Sequence, residues 1–528
     1  MTNDHPSMAN LTNTDSIRVA KGKLPRKASL ILWILLAANF VVSLNETVLG
    51  VALPVVMKDL HITAATGQWL TTAFLLTMSV VIPITGYLQS RYSTRMLFFA
   101  AMGIFTLGTV LGALSIDFGV LLLGRVFQAA GTALLFPMFM TTMMVIVPEN
   151  MRGRLMGRIS LVFAVAPALG PATSGIIVQA FGWHALFWLV LPVAVAAVFI
   201  GGKWLHLEHE PGPIRLDFFS LLLSAVGFSA LIYGLSDVGS AVRASETGTG
   251  GVVNPLLIIV PGALVVTWFV WRQIRLAPQN AALLDFAPFK VPAFRNSMIV
   301  MNLMMITLFG TLIIVPIYVQ SVLHFNALTT GLMMMPGGLM QGLLGVPAGR
   351  LMDKYSARRI LVPALGGVAV AIGLMAGFGI DTPIWLVFVS YTLLSSSLAF
   401  VFPVVMGASM SSVGPEHYSH ASAIVGVTQQ VFGAAGTAGF VAVLTMLSGG
   451  ATAATDAVAL NDGTHGAFVI GAVLALATVA YSFTIRKAPV PQLPIGEMPG
   501  GAAASPADGA AASPQASATS SPSKGDNN

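Results

Sequence analysis

The segment GYLQSRYSTRMLF at Gly86–Phe98 returns 263 positions later as GRLMDKYSARRIL at Gly349–Leu361, and this recurrence decides the fold. Each copy is a short basic connection between two long uncharged apolar runs. Two further matches keep nearly the same offset: Phe136-Pro137-Met138 returns as Phe402-Pro403-Val404, and Gly170 as Gly436, both 266 positions on. Three matches at nearly one offset imply two related halves. Both basic connections are expected on the same membrane face, so the halves run parallel, related by an axis along the membrane normal. That is a transporter architecture with its substrate site between the halves.

Outward from these loops the chain is apolar. Of 528 residues, 55% are apolar and 9% charged, whereas a soluble domain carries about a quarter charged residues. Uncharged runs near 20 residues match a spanning helix and not the alternating segments of about ten residues in an outer-membrane barrel. Fourteen runs are expected to span. In the first half they are Ser29–Val51, Trp69–Gln89, Met96–Ser115, Phe118–Val147, Leu155–Ala180 and Ala185–Gly202. Phe218–Ser236 and Pro255–Trp271 intervene as two extra spans. Asn296–Val322, Leu328–Gly349, Ile360–Gly379, Pro383–Met410, Ala421–Leu447 and Ala467–Ile485 form the second half.

The expected fold class is therefore an all-α polytopic membrane protein, two pseudo-symmetric six-helix bundles plus two linker helices. Its expected divisions are a tail at 1–28, bundles at 29–202 and 295–488, a linker at 203–294 and a tail at 489–528. The last tail, rich in Pro, Ala, Ser and Gly, is expected to be disordered. An even span count places 23 of the 26 Lys and Arg on one side, which identifies that side, with both termini, as cytoplasmic in a bacterial-type plasma membrane. No cleavable signal peptide is expected, because the polar stretch Met1–Lys27 is too long for its leading region.

Several function classes fall away. With no cysteine there is no disulfide, thiolate metal site or thiol catalysis. The net charge of +6 sits in short loops, so it reads as topology and not as a nucleic-acid surface. The nine histidines are scattered, so no catalytic or metal cluster and no cofactor is expected. A G-x-x-x-x-G-K-[ST] phosphate loop is absent, which excludes ATP hydrolysis by this polypeptide.

Two charges lie well inside the spans, Glu46 and Arg125. An intramembrane charge costs at least about 2.5–3.5 kcal/mol and marks a functional site by default. Asn39, Ser43, Glu46 and Gly50 share one face of the first helix, and Arg125, Gln128 and Thr132 one face of the fourth. Both stripes are expected to turn away from lipid into a cavity. Glu46 reads as a proton carrier that also attracts cationic drugs, or as an interhelical hydrogen-bonding acid that stays protonated. Arg125 keeps its proton, so it tunes Glu46 or clamps backbone carbonyls. In the second half Asn302, Gln341, Gln429 and Gln430 are the polar cavity candidates, with interhelical bonding as the alternative. Seven methionines between Met301 and Met340 suit either a cavity for varied apolar molecules or lipid-facing packing.

These residues carry a resemblance. Gly86–Arg95 resembles the basic cytoplasmic signature of the major facilitator superfamily, and Gly349–Arg358 its second copy. Arg125, Gln128 and Gly131 resemble its fourth-helix arginine motif, and Gly170-Pro171 with Gly175 its antiporter motif. Asn45-Glu46-Thr47-Val48 through Ala52-Leu53-Pro54 resembles the first helix of the fourteen-spanner drug:proton antiporters, and with Trp69–Thr72 looks closest to lincomycin-resistance-type exporters; quaternary-ammonium-type multidrug exporters are similar.

The resemblance implies a non-enzymatic exporter of small amphipathic drugs, driven by protons and working by alternating access, read here as a monomer. It also implies that Gly86, Arg91, Arg95, Gly349, Asp353 and Arg358 gate the cytoplasmic side, and that Gly170, Pro171 and Gly175 form a kink favouring exchange. Two positions depart from the family. Ser90 stands where an acid is usual, which removes from the first loop a charge that latches the halves, and His184 follows Trp183 where arginine is common. The rivals are a proton-coupled symporter or uniporter of a small metabolite on the same fold, and a non-transporting receptor.

Overall fold

The computed structural model describes residues 25–485 apart from 63, 149–150, 160–173, 175, 206–216, 248–253, 280 and 450–456. Among the described residues the regular structure is helical, with no strand. The first-half helices are α1 (Arg26–Asp59), α2 (Ala64–Arg91), α3 (Thr94–Ala113), α4 (Phe118–Ile146) and α5 (His184–Trp204). Residues 151–159 and 176–181 are also helical. Then follow α6 (Phe218–Thr247) and α7 (Leu256–Leu276). The second half holds α8 (Pro292–Ile317), α9 (Ala327–Lys354), α10 (Ala357–Met375), α11 (Ile384–Met410), α12 (Tyr418–Ser448) and α13 (Ala457–Ser482).

Local chemistry sets the ends of these helices. The Ser93, Asp117 and Asn326 side chains accept hydrogen bonds from the backbone N–H groups of Met96, Val120 and Thr329, satisfying donors that the first turn leaves open. Gly449, at φ +55°, closes α12 in the left-handed conformation that glycine adopts without a Cβ penalty.

Among the described residues twelve helices are long and apolar enough to cross a membrane, by length and composition. Their outer faces carry large apolar side chains in the open, with Phe199 and Phe218 each 72% exposed, a surface that requires hydrocarbon around it. Of the two remaining expected spans, Leu155–Ala180 lies partly outside the described residues. Leu328–Gly349 lies within α9, whose 28 residues extend about 42 Å. Its glycines, its prolines Pro336 and Pro347 and the charged end Arg350–Lys354 dilute its hydropathy without shortening it.

The expected pseudo-symmetry is visible in which helices touch. In the first half α3 packs on α4 and α5, α2 on α4, and α1 on α4 and α5. The counterparts repeat this: α10 packs on α11 and α13, α9 on α11, and α8 on α11 and α13. The extra pair α6 and α7 pack on each other, and α6 also lies against both α2 and α12.

Asp217 anchors that pair. Its carboxylate accepts from Ser220 Oγ at 2.6 Å and from Arg272 Nε at 2.9 Å, with Arg272 Nη2 at 2.8 Å. Burial pushes the carboxyl up, but these hydrogen bonds and the Arg272 charge outweigh burial and hold it below the ordinary carboxylate range. Gln273 next door donates to Ser220 Oγ and accepts the N–H groups of Leu283 and Leu284, so the connection to α8 is tied to the end of α7.

Candidate functional site

Arg125 on α4 is 2% exposed, and two of its guanidinium nitrogens donate hydrogen bonds. Nη1 donates to Asn45 Oδ1 at 3.1 Å and to Gln128 Oε1 at 2.9 Å, and Nε donates to the Leu70 carbonyl at 3.5 Å. The Phe74 ring lies 4.2 Å from the guanidinium carbon, close enough for a cation–π contact. Gln128 in turn donates to Thr109 Oγ1 at 3.0 Å. One buried network thus joins α1, α2, α3 and α4.

Glu46 sits beside this network without entering it. No ion pair within 4.0 Å joins it to Arg125 among the described residues, although the two charges act on each other across the site. Glu46 is exposed, as are Ala37 and Val55, each nine positions away on α1. Nine residues at about 100° each is half a turn, so Glu46 faces opposite that apolar outer stripe. Exposed and opposite those two positions, Glu46 is not closed into the Arg125 network.

The expected cavity stripe is therefore divided. Asn39, 1% exposed, donates to the Leu35 and Leu135 carbonyls and pins α1 to α4. Gln128, 0% exposed, is enclosed between α3 and α4, and Thr132 donates to the Gln128 carbonyl. Asn39 and Gln128 thus bond between helices, whereas Thr132 bonds back within its own helix, α4. Ser43 stays half-buried beside Glu46.

In the second half Asn302 Oδ1 and Gln429 Nε2 are buried without a hydrogen-bond partner, on the adjacent helices α8 and α12. Gln430 Nε2 reaches Met78 Sδ at 3.5 Å across the halves. Gln341 is half-buried. Met301, Met304, Met305 and Met333 are buried, whereas Met335 and Met340 are exposed. Gly170, Pro171 and Gly175 lie outside the described residues.

The contacts between halves gather at the end carrying the basic loops, in two related seams. In one, the helical segment at 151–159 meets the end of α9. Gly349 stands so near Gly153 and Gly157 that a Cβ there would strike the Gly153 carbonyl. Asp353 Oδ2 accepts the Arg154 N–H at 3.0 Å, placing a carboxylate at a helix start, where the dipole favours it. In the other seam, the end of α2 meets the start of α12. Ser90 Oγ lies 3.4 Å from Ser419 Oγ, Gly86 packs on His420, and Thr141 Oγ1 on α4 lies 3.0 Å from Ser422 Oγ. Where the second copy uses Asp353, the first uses neutral hydroxyls.

The remaining loop residues serve their own bundles. Arg95 donates to the Gly202 carbonyl at 2.8 Å, Arg358 lies over the Phe483 ring, and Arg91 is exposed. His184 reaches the Ser115 carbonyl at 2.9 Å.

Asn45, Phe74, Thr109, Ser419, His420 and Ser422 escaped the sequence reading. Asn45 carried a signal, since it adjoins the acid in the same motif; the others resemble ordinary helix residues. Among the described residues no group of three His, Asp or Glu is placed to hold a metal.

Comparison with known proteins agrees with this arrangement. The sequence model of the Major Facilitator Superfamily matches residues 35–437. The uncharacterized MFS-type transporter YcnB of Bacillus subtilis is 34% identical, covering 90% of this chain and 98% of its own length. The lincomycin resistance protein LmrB of Listeria monocytogenes is 33% identical over 86% of this chain and 96% of its own. The crystal structure of the human organic anion transporter MFSD10 (TETRAN) shares the fold, with a TM-score of 0.60 at 15% identity, covering 87% of this chain and all of that one.

Proposed function

The chain belongs to the Major Facilitator Superfamily and is a multi-pass membrane transporter, and from that premise we propose that it exports amphipathic drugs in exchange for protons. The observation that carries this reading is Glu46: an acid within the first span, exposed, opposite the apolar outer stripe and near a fixed cation. A carboxylate so placed takes a proton when the opening faces the acidic side and yields it when the opening faces the other. A cationic drug and a proton compete for the same negative charge, which couples the two flows. Arg125, held by Asn45 and Gln128, biases that competition without itself moving a proton. The similarity to a lincomycin resistance protein supports a drug as cargo.

Alternating access then means closing one seam pair and opening the other side. The moving units in this reading are the bundles at 29–202 and 295–488, with 203–294 as the bridge. The crowded basic side is cytoplasmic and holds both termini, in a bacterial plasma membrane. With that end sealed, the present arrangement corresponds to access from outside.

The test uses purified protein in liposomes with an imposed proton gradient and ethidium as the probe. Wild type is expected to move ethidium against its gradient and to release protons on substrate addition, and Glu46→Gln to do neither. Undiminished gradient-driven ethidium movement by Glu46→Gln overturns the proposal.

A further inference from the structure

A groove separate from the Glu46 region runs between the end of α9, the first half of α10 and the middle of α11, with room of about 730 Å³. That lies within the range of about 300–1,000 Å³ typical of small-molecule sites. Leu351, Ile360, Pro363, Ala364, Leu393 and Phe400 make its walls apolar. Gly367 lets α10 and α11 close the floor, since a Cβ there would strike Ser397 Oγ. Its mouth is polar, where Tyr355, 49% exposed, and the exposed Arg359 close one end.

Arg359 separates this groove from a plain lipid-facing furrow. Its side chain makes no hydrogen bond or ion pair among the described residues, whereas its neighbour Arg358, the repeat counterpart of Arg95, lies over the Phe483 ring. Arg359 also stands in the first turn of α10, where its own N–H donates to the Ser356 carbonyl and the Ser356 side chain caps no N–H, so the helix start presents its positive dipole end at the mouth. From Arg359 to Gly367 along the helix is about 12 Å, close to the roughly 15 Å of hydrocarbon in one leaflet. The positive end thus sits at headgroup level and the apolar walls run down to the midplane.

We propose that this groove binds an anionic phospholipid from the leaflet bordering the basic loops, with the headgroup phosphate on Arg359 and one acyl chain along the walls. The site is independent of drug export, and its test reads binding and not transport.

The experiment is native mass spectrometry of the full-length detergent-purified protein, titrated separately with phosphatidylglycerol, with phosphatidylcholine of the same chains, and with ethidium. Wild type is expected to take up phosphatidylglycerol preferentially. Arg359→Gln is expected to weaken phosphatidylglycerol about fivefold, the share of one arginine near a lipid surface, and to leave phosphatidylcholine unchanged. Ala364→Phe fills the groove and is expected to abolish the preference; Leu393→Phe fills it from the facing wall should Ala364→Phe fail to fold. Equal uptake of both lipids, unaffected by Arg359→Gln, overturns the proposal. So does a filled groove that loses ethidium binding and keeps phosphatidylglycerol, since the groove would then be an entry for cargo.

Discussion

At the scale of the residue, the arginine in α4 illustrates how a permanent charge is kept inside a membrane protein. Its donors meet Asn45, Gln128 and the Leu70 carbonyl while Phe74 covers one face. A planar fork reaches separated acceptors from fixed positions while lying flat on a ring, which the compact ammonium of lysine does not. Arg125→Lys is therefore expected to lower stability by about 1.5–3 kcal/mol, the worth of hydrogen bonds to a charged group. Melting of the detergent-purified protein checks this, and a wild-type melting temperature would show that the fork is not what holds α1 to α4. Glu46 stays outside that network. An acid locked into a bidentate pair would be a poor proton carrier, because the pair would hold it ionised.

At the scale of the element, the α6–α7 pair is held by one polar cluster at its end and by apolar contact elsewhere. Asp217 stands before the first turn of α6 and receives Arg272 from α7. Because its carboxyl is held below the ordinary range in the folded protein, the stabilisation is present at neutral pH. It is lost as pH falls through the lowered folded value, where the native carboxylate also takes a proton. The pair is partly open to solvent, so its worth is about 0.5–1 kcal/mol. Arg272→Gln is expected to remove that amount and to flatten the acid limb of the stability profile. Hydrogen exchange of α6 and α7 between pH 7 and pH 3 reads both, and an unchanged limb in the variant would assign the acid sensitivity elsewhere.

At the scale of the whole molecule, the two seams close the same end with different chemistry. On one, glycine lets helix backbones meet and Asp353 caps the segment at 151–159; on the other, hydroxyls and a histidine meet. A side chain at Gly349 cannot fit beside Gly153, and interhelix space this tight does not yield by small adjustments. Gly349→Val is expected to hold this end open. Spin labels at Arg154 and Lys354 should then report a longer, broader distance than in the otherwise wild-type protein, with transport slowed. A distance distribution unchanged by the valine would mean that this seam is not a closing surface.

Much of this was legible in the chain. The paired loops at Gly86 and Gly349 revealed the duplicated architecture because a repeated loop needs no partner to be recognised. Glu46 and Arg125 stood out because a charge in an apolar run is rare for energetic reasons. Which polar neighbour answers Arg125 was not legible. Asn45 and Glu46 differ by about 100° around one helix, and choosing between them requires knowing where α2 and α4 stand. The seam on α12 was equally hidden, for Ser90 and Ser419 are neutral, small and 329 positions apart.

By itself, then, the sequence determined that the chain spans a membrane as helices, in two related halves, with a lone acid and a lone arginine inside. Burial cost and helix length act on each segment separately, so each segment declares them. Only the tertiary structure decided that Asn39 and Gln128 bind helices together, that Glu46 remains exposed, and which end of the molecule is closed. Those outcomes depend on the distance and rotation between helices far apart in the chain, and no single segment holds that information.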